Sequence, residues 1–310
     1  MPLDVELQIT PAEPERAMES LELVFGSLRE ANRHLELRSL LVDEIPLEGL
    51  WVARRGPRVV GAVLAFSQPG RTGLVWPPRL VEGEPRETAD RLIETVDRLM
   101  ADAGLSMAYA ALKTVGRADD RLLRAHGYEP MSTALYLVST DRNFPAASPE
   151  CVLDFEPYSD ANHARLAKMV EASYEETQDC PKLSGARDIE DVLAGYRQTG
   201  EFAPHRWLLV RHRKEDVGCL MVADHPHHGS CELVYMGLTV SARGHGWGKQ
   251  IARVAQWLTA SAGRDRLVVA VDAANDAAVA VYTSVGFHAW DRREVYVKLL
   301  QSEEPGKCGE

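Results

Sequence analysis

The second half of the chain alternates between apolar patterns with helical spacing and apolar patterns typical of strands. Apolar residues three or four positions apart predict helices, and short continuous or alternating apolar runs predict strands. In order, the pattern predicts two helices, three strands, then helix, strand, helix and strand. One strand, LVVAVD, is apolar on both faces, which favours a central place in a sheet. The predicted segments are residues 166–174, 189–196, 207–210, 217–223, 231–240, 251–261, 267–272, 276–284 and 295–300.

The first half carries a similar pattern, which indicates an internal repeat. Residues 50–62 (LWVARRGPRVVGA) match residues 207–219 (WLLVRHRKEDVGC) without a gap. Each is an apolar strand, a charged turn, and Val-Gly at the start of a second strand. Later, HGYEP from His126 matches VGFHA from Val285, and each half ends in an alternating strand, ALYLV or VYVKLL. The same unit is therefore expected twice.

Length and composition agree with two domains. The chain has 310 residues, of which 45% are hydrophobic and 26% charged, an ordinary globular composition that excludes a disordered, collagenous or disulfide-knotted protein. Residues 139–149 are polar and aperiodic and contain two prolines, as expected of a connection. The sequence therefore predicts domains at residues 1–142 and 150–300.

The net charge and the cysteines argue against several classes of binding partner. The formal net charge of −11 argues against a nucleic-acid partner. No signal-like or membrane-spanning apolar run is visible, so we expect a cytoplasmic protein without a membrane partner. We expect a monomer or a homodimer. The five cysteines form no CxxC pair, which suits a reducing compartment and makes zinc binding through cysteine improbable. They are Cys151, Cys180, Cys219, Cys231 and Cys308.

The most informative glycines lie where a predicted strand meets a predicted helix. The segment from Arg243 to Lys249 reads RGHGWGK, with glycines at alternate positions. Glycine lets the backbone turn its N–H groups inward without a Cβ in the way, and a helix N-terminus carries about half a positive charge. The segment therefore predicts a site for a pyrophosphate, with the charges of Arg243 and Lys249 at its edges.

Three phosphate-binding patterns compete for this loop. A Walker loop needs four residues between its first glycine and Gly-Lys-Ser/Thr, whereas three residues separate Gly244 from Gly248, and Gln250 replaces the metal-binding hydroxyl. A dinucleotide-binding fingerprint requires GxGxxG, whereas residues 244–248 have the spacing GxGxG, so a dinucleotide site stays only as an alternative. The third pattern, Arg/Gln-x-x-Gly-x-Gly/Ala, is met by Arg243, Gly246 and Gly248.

On these residues the chain resembles the GNAT (Gcn5-related N-acetyltransferase) superfamily. After the loop, that family carries Asn, then Tyr, then Gly-Phe, and this chain has Asn275, Tyr282 and Gly286-Phe287 in that order. The resemblance implies two tandem α/β units with mixed sheets, acetyl-coenzyme A (acetyl-CoA) as acyl donor, and a small-molecule or peptide amine as acceptor. The coenzyme-binding residues that it implies are Leu238, Val240, Arg243, Gly244, His245, Gly246, Trp247, Gly248, Lys249 and Asn275.

The resemblance also assigns two candidate catalytic residues. Glu232 resembles the general base of some family members, although a solvated carboxylate at a strand end explains it equally well. Tyr282 matches the usual general acid, because a phenol with a pKa near 10 can protonate a thiolate whose pKa is about 8.5. Backbone N–H groups near Leu238 and Val240 would polarise the acetyl carbonyl if this strand splays from its neighbour. Asn275 would bind the pantetheine arm or cap the following helix.

Three other groups are less specific. Residues 225–228 (HPHH) lie in a predicted turn without carboxylates at metal-ligand spacing, so we expect no metal. Cys180 has no histidine pair nearby to activate it, so we expect it to be incidental. Glu175 and Glu176 could attract a cationic amine or form a solvated acidic face.

The first half lacks the chemistry of the second. Through the repeat, Leu123 stands in the place of Tyr282, Gly116 in the place of Asn275, and residues 82–87 (EGEPRE) in the place of the glycine loop. Proline removes an N–H, and carboxylates repel a phosphate. We therefore expect a degenerate first unit that has lost acetyl-CoA binding.

The sequence thus favours a GNAT-type N-acetyltransferase in which the acceptor amine attacks acetyl-CoA directly. One alternative is a catalytically inactive coenzyme A-binding sensor or scaffold. Another is an oxidoreductase that binds a nicotinamide dinucleotide. No motif identifies the acceptor, because specificity in such folds comes from the loops.

Overall fold

The chain forms two compact units, and each is described by itself. The structure, a computed structural model, describes residues 5–26, 47–113, 115–181 and 187–300. Cys308 lies outside the described residues. Within them, unit one comprises residues up to 131 together with 294–300, and unit two comprises residues 132–293.

Unit one is a sheet with helices on both faces. Its described elements are β1 (Leu7–Pro11), α1 (Ala17–Phe25), β2 (Leu50–Arg55), β3 (Arg58–Gln68), β4 (Thr72–Leu80), α2 (Glu87–Asp102), β5 (Met107–Leu112) and α3 (Arg117–Ala125). Strands β1 to β4 pair antiparallel in chain order, and β4 pairs parallel with β5. Helix α2 buries Leu92, Ile93, Val96 and Met100, which recur at helical spacing, in the core.

Unit two is a mixed sheet between two pairs of helices. Two strands, β6 (Glu129–Thr140) and β12 (His288–Leu299), cross the division between the units. The other elements are β7 (Asp154–Pro157), α4 (His163–Tyr174), α5 (Ile189–Arg197), β8 (Trp207–His212), β9 (Glu215–His225), β10 (Ser230–Leu238), α6 (Trp247–Ser261), β11 (Arg266–Asp272) and α7 (Asp276–Ser284). The strand order is β7-β8-β9-β10-β11-β6.

The alternation of side chains along β8 explains this layering. Leu208 and Val210 join the core with α6 and α7, whereas Trp207 and Leu209 join the core with α4 and α5. Successive side chains of a strand point to opposite faces of the sheet, and both faces are covered here. The strand therefore reads as continuously apolar in the sequence.

The predicted elements of the second half are confirmed, with differences at their ends. Strand β10 ends at Leu238 rather than Val240, and the short strand β7 was not predicted. The central place of the LVVAVD strand is confirmed, because β11 lies between β10 and β6. In the described residues of unit two, the one parallel pair is β10 with β11, so the doubly wound parallel sheet of a dinucleotide-binding fold is not present. None of the described helices combines the length and the apolar character needed to cross a membrane.

The final strands of the two halves differ from the expected assignment. Residues 134–140 of β6 pair antiparallel with β11 in unit two, and residues 294–299 of β12 pair antiparallel with β5 in unit one. The predicted ranges 1–142 and 150–300 keep each final strand with its own half. The two strands carry the same alternating pattern, and backbone hydrogen bonds do not depend on side chains, so the sequence could not assign their partners. As repeat boundaries, these ranges stay a prediction.

In both units, a parallel pair of strands separates soon after it forms. Strands β10 and β11 pair from Ser230↔Arg266 to Glu232↔Val268, and β10 then runs on to Leu238 without this partner. Strands β4 and β5 pair from Thr72↔Met107 to Leu74↔Tyr109 in the same way. Beyond Leu233, the register between β10 and β9 shifts at a bulge. Both units therefore have the divergent strand pair that the resemblance implies.

Candidate active site

A cavity of about 410 Å³ opens where β10 and β11 diverge. Residues 233–238 of β10 form one wall, residues 269–271 of β11 form another, and Asn275 and Tyr282 close the end formed by α7. Strands that diverge leave backbone N–H and C=O groups without a partner strand, and these groups are then available to a ligand. The cavity is therefore lined by backbone polar groups on one side and by helix α7 on the other.

The glycine loop adjoins this cavity through Arg243, which lines it. Gly244 and Gly246 have φ of +80° and +75°, a left-handed conformation that side chains with a Cβ rarely adopt. Within the described part of the chain, no carbonyl or side-chain oxygen accepts a hydrogen bond from either amide. The first amides of α6 follow directly, and together with the helix dipole they favour an anion. The pyrophosphate site stays a prediction, which the positive φ of these glycines and their unbonded amides support.

Gly248, the third glycine of the loop, has a role in helix packing. A Cβ on Gly248 would lie 3.3 Å from Cγ2 of Val281, a side chain of α7. Gly248 therefore allows α6 and α7 to pack closely. This role could not be separated from that of the other two glycines by spacing alone.

The side chain of Arg243 does not point into the glycine loop. Its guanidinium donates to the main-chain carbonyls of Ser173 at 3.0 Å, Glu175 at 2.8 Å and Glu176 at 3.2 Å, and its Nε donates to Leu238 at 3.2 Å. Carbonyls at the C-terminal end of a helix carry partial negative charge, which a cation stabilises. Arg243 therefore ties the glycine loop to the end of α4.

The other polar side chains of the loop lie on its outer side. Nδ1 of His245 donates to the main-chain carbonyl of Arg243 at 2.9 Å, and the imidazole ring stacks on Trp247 at 4.7 Å between centroids. Trp247 is buried, whereas Lys249 is exposed on the first turn of α6. Of the two predicted cations, the ammonium of Lys249 is therefore the one on the exposed side of this turn.

Tyr282 and Asn275 both line the cavity. Tyr282 is buried and packs on Phe287 at 5.3 Å between ring centroids. Burial, and then the charge of Asp179, raise the pKa of Tyr282, so its phenol stays protonated at neutral pH. Oδ1 of Asn275 accepts from the amide of Ala278 at 3.1 Å, so this residue caps α7 while it lines the cavity.

The two residues expected to contribute backbone N–H groups differ in position. Leu238 lines the cavity at the end of β10, whereas Val240 lies in a 3₁₀ turn and is 38% exposed. The bulge that follows Leu233 is closer to the point of divergence. We therefore expect the amides around the bulge to face the acyl group.

Glu232 lies just before the point where β10 and β11 diverge, because it forms the last residue pair between these two strands. Its Oε2 is 3.2 Å from Nε2 of His225, a buried side chain, and Glu232 itself is 18% exposed. It is absent from the lining of the cavity. The structure thus brings the glycine loop, Asn275 and Tyr282 together but leaves Glu232 outside this group.

A second cavity, of about 470 Å³, adjoins the same strand. The aromatic rings of Tyr174, Tyr196 and Tyr235 form one side of it, and Tyr196 stacks on Tyr235 at 5.5 Å between centroids. Asp179, Val234 and Tyr235 line both cavities. The sequence did not single out Asp179, because it follows α4 in a loop without periodicity or motif.

The remaining candidates also lie beside these cavities. Cys180 lines the second cavity, and burial raises the pKa of its thiol to about 11, so it is not a reactive thiolate at neutral pH. Glu175 lines the second cavity and Glu176 the first. The predicted acidic face is therefore divided between the two cavities.

The part of the chain that holds the divergent strands and the glycine loop matches a known family model. Residues 170–287 match the model of the "Acetyltransferase (GNAT) family". Over these residues the chain is similar to that family.

Solved structures are similar in fold over nearly the whole chain. A GCN5-related N-acetyltransferase from Sphaerobacter thermophilus has a TM-score of 0.63 at 14% identity, with 95% of this chain and 96% of that chain covered. A tandem GNAT protein from the clavulanic acid biosynthesis pathway has a TM-score of 0.51 at 14% identity, with 96% and 100% covered. The predicted fold class, two tandem GNAT-like α/β units, is confirmed.

Two curated proteins are similar in sequence, and both are named mycothiol acetyltransferase. The protein from Jonesia denitrificans is 27% identical over 186 residues, 56% of this chain and 56% of its own length. The protein from Paenarthrobacter aurescens is 30% identical over 115 residues, 37% of this chain and 32% of its own length. The chain thus spans about half or less of the curated relatives it matches.

Proposed function

We propose that unit two is an N-acetyltransferase that binds acetyl-CoA in the cavity between β10 and β11. The observation that carries this proposal is the pair of free amides at Gly244 and Gly246 beside a cavity that ends at Tyr282. The amides suit a pyrophosphate, and the unpaired edge of β10 suits the amide groups of a pantetheine arm. Asn275 and Tyr282 then lie where the thioester would be. The GNAT family match at residues 170–287 supports the same coenzyme.

The reaction proposed is direct attack of an amine on the thioester. The neutral amine forms a bond from nitrogen to the carbonyl carbon, the bond from carbon to sulfur breaks, and the nitrogen loses one proton, which returns to Tyr282 through water after the phenol has protonated the sulfur. The phenol of Tyr282 gives its proton to the departing thiolate, and its raised pKa keeps that proton available over the neutral range. Backbone amides of β10 stabilise the charge that develops on the carbonyl oxygen.

The acceptor is an amine, and mycothiol acetylation is the first acceptor reaction to assay, because both curated relatives carry that name. A cytoplasmic location and a monomeric or homodimeric state remain predictions. Unit one is proposed to be a degenerate copy that does not bind acetyl-CoA.

Two features of unit one support its degenerate character. The register between β3 and β4 shifts opposite Pro77 and Pro78, which have no N–H to donate. Before α2, the carboxylate of Glu84 accepts from Arg55 at 3.0 Å and from Thr88 at 2.6 Å, and this side chain is 5% exposed. A buried carboxylate thus lies at the helix N-terminus, where a phosphate would have to bind.

The test is acetyl-CoA binding by calorimetry with two matched glycine variants. We expect micromolar binding by the natural chain and a loss of at least about 100-fold in Gly246→Val, because valine is strained at this positive φ. Gly263→Val is the control, since Gly263 also has a positive φ (+72°) and open space around its Cα but lies at the other end of α6. Equal binding by the two variants would remove the site.

A second measurement separates the enzyme from a sensor or scaffold. An enzyme should catalyse the release of free thiol from acetyl-CoA when a suitable amine is present. The amines assayed include the substrate whose acetylation gives mycothiol. Binding without turnover on any amine would favour the sensor. Stabilisation against heating by NAD, without stabilisation by acetyl-CoA, would favour the oxidoreductase.

A further inference from the structure

The junction of the two cavities in unit two holds a carboxylate that no sequence motif marks. Asp179 lines the coenzyme cavity together with Tyr282, and it lines the second cavity together with Tyr174 and Tyr196. Asp179 is exposed to solvent, and its carboxylate lies at the lining of both cavities. A ligand in either cavity is therefore close to this carboxylate.

The carboxylate of Asp179 is held in place by backbone. Its Oδ1 accepts the N–H of Asp272 at 2.7 Å, and Oδ2 of Asp272 accepts the N–H of Cys180 at 3.3 Å. Among the described residues, Asp179 forms no ion pair with a lysine, arginine or histidine. One carboxylate oxygen is therefore fixed, and the charge of the other is not neutralised by the protein.

The second cavity suits a cation with an apolar body. Its carboxylates are Glu171, Glu175 and Asp179, against one guanidinium, that of Arg187. Three tyrosines, Tyr174, Tyr196 and Tyr235, also line it and supply aromatic surface, which suits an apolar body and can attract a cation. An amine of this kind is protonated at neutral pH and must lose a proton before it can attack.

We propose that the second cavity receives the acceptor as a cationic primary amine with an apolar or aromatic body, and that Asp179 takes the proton from its ammonium group. This inference rests on the proposed function. It assigns the general base to Asp179 rather than to Glu232, which is paired with His225 and lines neither cavity.

The protons balance in this scheme. The ammonium gives one proton to Asp179, and the amine nitrogen then forms a bond to the thioester carbon while the bond from carbon to sulfur breaks. Tyr282 protonates the sulfur, and the second proton lost from nitrogen as the amide forms returns to Tyr282 through water. The products are the acetamide and the free thiol of coenzyme A, and the proton on Asp179 passes to solvent.

The surroundings of Asp179 favour this task. Desolvation raises the pKa of this carboxyl, and the neighbouring charge of Asp272 adds to the effect, although the hydrogen bond from the backbone of Asp272 opposes it. A base is more effective as its pKa approaches the working pH. The titratable and charged groups that face Asp179 or share its cavities are Asp272, Tyr282, Tyr235, Tyr174, Tyr196, Cys180, Glu171, Glu175, Glu176, Arg187 and Arg243.

The test compares Asp179→Asn with Asp265→Asn, an exposed aspartate in the turn after α6. Asparagine keeps an acceptor oxygen for the N–H of Asp272. We therefore expect the Tm to be unchanged and the Kd for acetyl-CoA to stay within about twofold of that of the natural chain. With 2-phenylethylamine as acceptor, kcat/KM at pH 7 should fall about 10²- to 10⁴-fold in Asp179→Asn. It should stay unchanged in Asp265→Asn.

The pH profile distinguishes a base from a structural role. The deficit of Asp179→Asn should shrink as the pH rises toward the pKa of the amine, because the acceptor then loses its proton without help. A deficit of equal size at all pH values would overturn the assignment. An unchanged rate in Asp179→Asn together with a large loss in Glu232→Gln would return the role to Glu232. Asp179→Glu should recover part of the rate.

The acceptor class has its own measurement. We expect kcat/KM for 2-phenylethylamine to exceed that for phenylalanine at least tenfold, because the carboxylate of phenylalanine is repelled by Glu171 and Glu175. Glu175→Gln should raise KM for 2-phenylethylamine about threefold and leave kcat unchanged. Preference for phenylalanine would overturn the acceptor class. Absence of acetyl-CoA binding by the natural chain would instead overturn the proposed function itself.

Discussion

The guanidinium of Arg243 donates to the main-chain carbonyl of Ser173 across 3.0 Å, so the glycine loop and helix α4 are joined by one side chain. The loop carries the proposed coenzyme site, and α4 carries Tyr174 in the second cavity. Arg243 therefore fixes the position of the glycine loop, beside the first cavity, relative to helix α4, beside the second cavity. In the sequence, the same residue is only the first position of a phosphate-loop pattern.

Replacement of Arg243 tests this link. Arg243→Gln should lower the free energy of unfolding by about 1–3 kcal/mol, because several bonds from a charged donor to carbonyls are lost. It should also weaken acetyl-CoA binding about tenfold through the displaced loop. Arg253→Gln, on the exposed face of α6, should change stability by less than about 0.5 kcal/mol. Weak binding with unchanged stability would mean that the guanidinium of Arg243 contacts the coenzyme directly.

Tyr282 and Tyr128 should respond in opposite ways to loss of the hydroxyl. In the described residues, the hydroxyl of Tyr282 has no hydrogen-bond partner, so Tyr282→Phe should lower kcat about 10²-fold with little change in stability or coenzyme affinity. The hydroxyl of Tyr128 in unit one donates to Asp97 at 2.6 Å in a buried position. Tyr128→Phe should cost about 1–3 kcal/mol of stability and leave kcat unchanged. A full rate in Tyr282→Phe would exclude its role as the acid.

Coenzyme stoichiometry tests the degenerate first unit. Burial alone would raise the pKa of Glu84, but hydrogen bonds from Arg55 and Thr88 lower it, so this carboxylate stays ionised at the start of α2. Its charge repels a phosphate, and Pro77 and Pro78 remove N–H donors. Calorimetry should therefore give one acetyl-CoA per chain, and two equivalents with comparable affinity would contradict the prediction.

The edge of unit two should lose stability in acid. Hydrogen bonds from Arg165 and then Asn162 lower the pKa of Glu156 from 4.5 to about 2. A lowered pKa in the folded state stabilises the protein above the unfolded value, and this contribution is lost as the pH falls from about 4.5 toward about 2. Glu156 is partly exposed, so we expect Glu156→Gln to cost about 0.5–1 kcal/mol at pH 6.

The check on Glu156 is thermal unfolding at several pH values. The difference in Tm between the natural chain and Glu156→Gln should be about 1–3 °C at pH 6 and should disappear near pH 2. Glu190→Gln, an exposed carboxylate on α5 beside His163, serves as a comparison at pH 6. A difference in Tm that does not depend on pH would point to packing rather than to charge.

The sequence alone determined the local elements and the conformation of the glycine loop. Apolar spacing is a property of successive residues, so β8 to β11 and their helices could be predicted from it. Gly244 and Gly246 need a conformation that only glycine adopts easily, and this local requirement is visible in the sequence. The resemblance to the GNAT superfamily pointed to Tyr282 and Asn275, because that family carries such residues after the loop in this order.

The tertiary structure decided which distant groups meet. The backbone hydrogen bonds that join β6 to β11 and β12 to β5 are available to any strand of similar pattern, so the sequence could not specify the exchange of final strands. Asp179 reaches the junction of two cavities only because its loop folds back onto β11, and Arg243 meets the end of α4 for a similar reason. Such contacts depend on the path of the whole chain, whereas hydrophobic periodicity depends only on neighbouring residues.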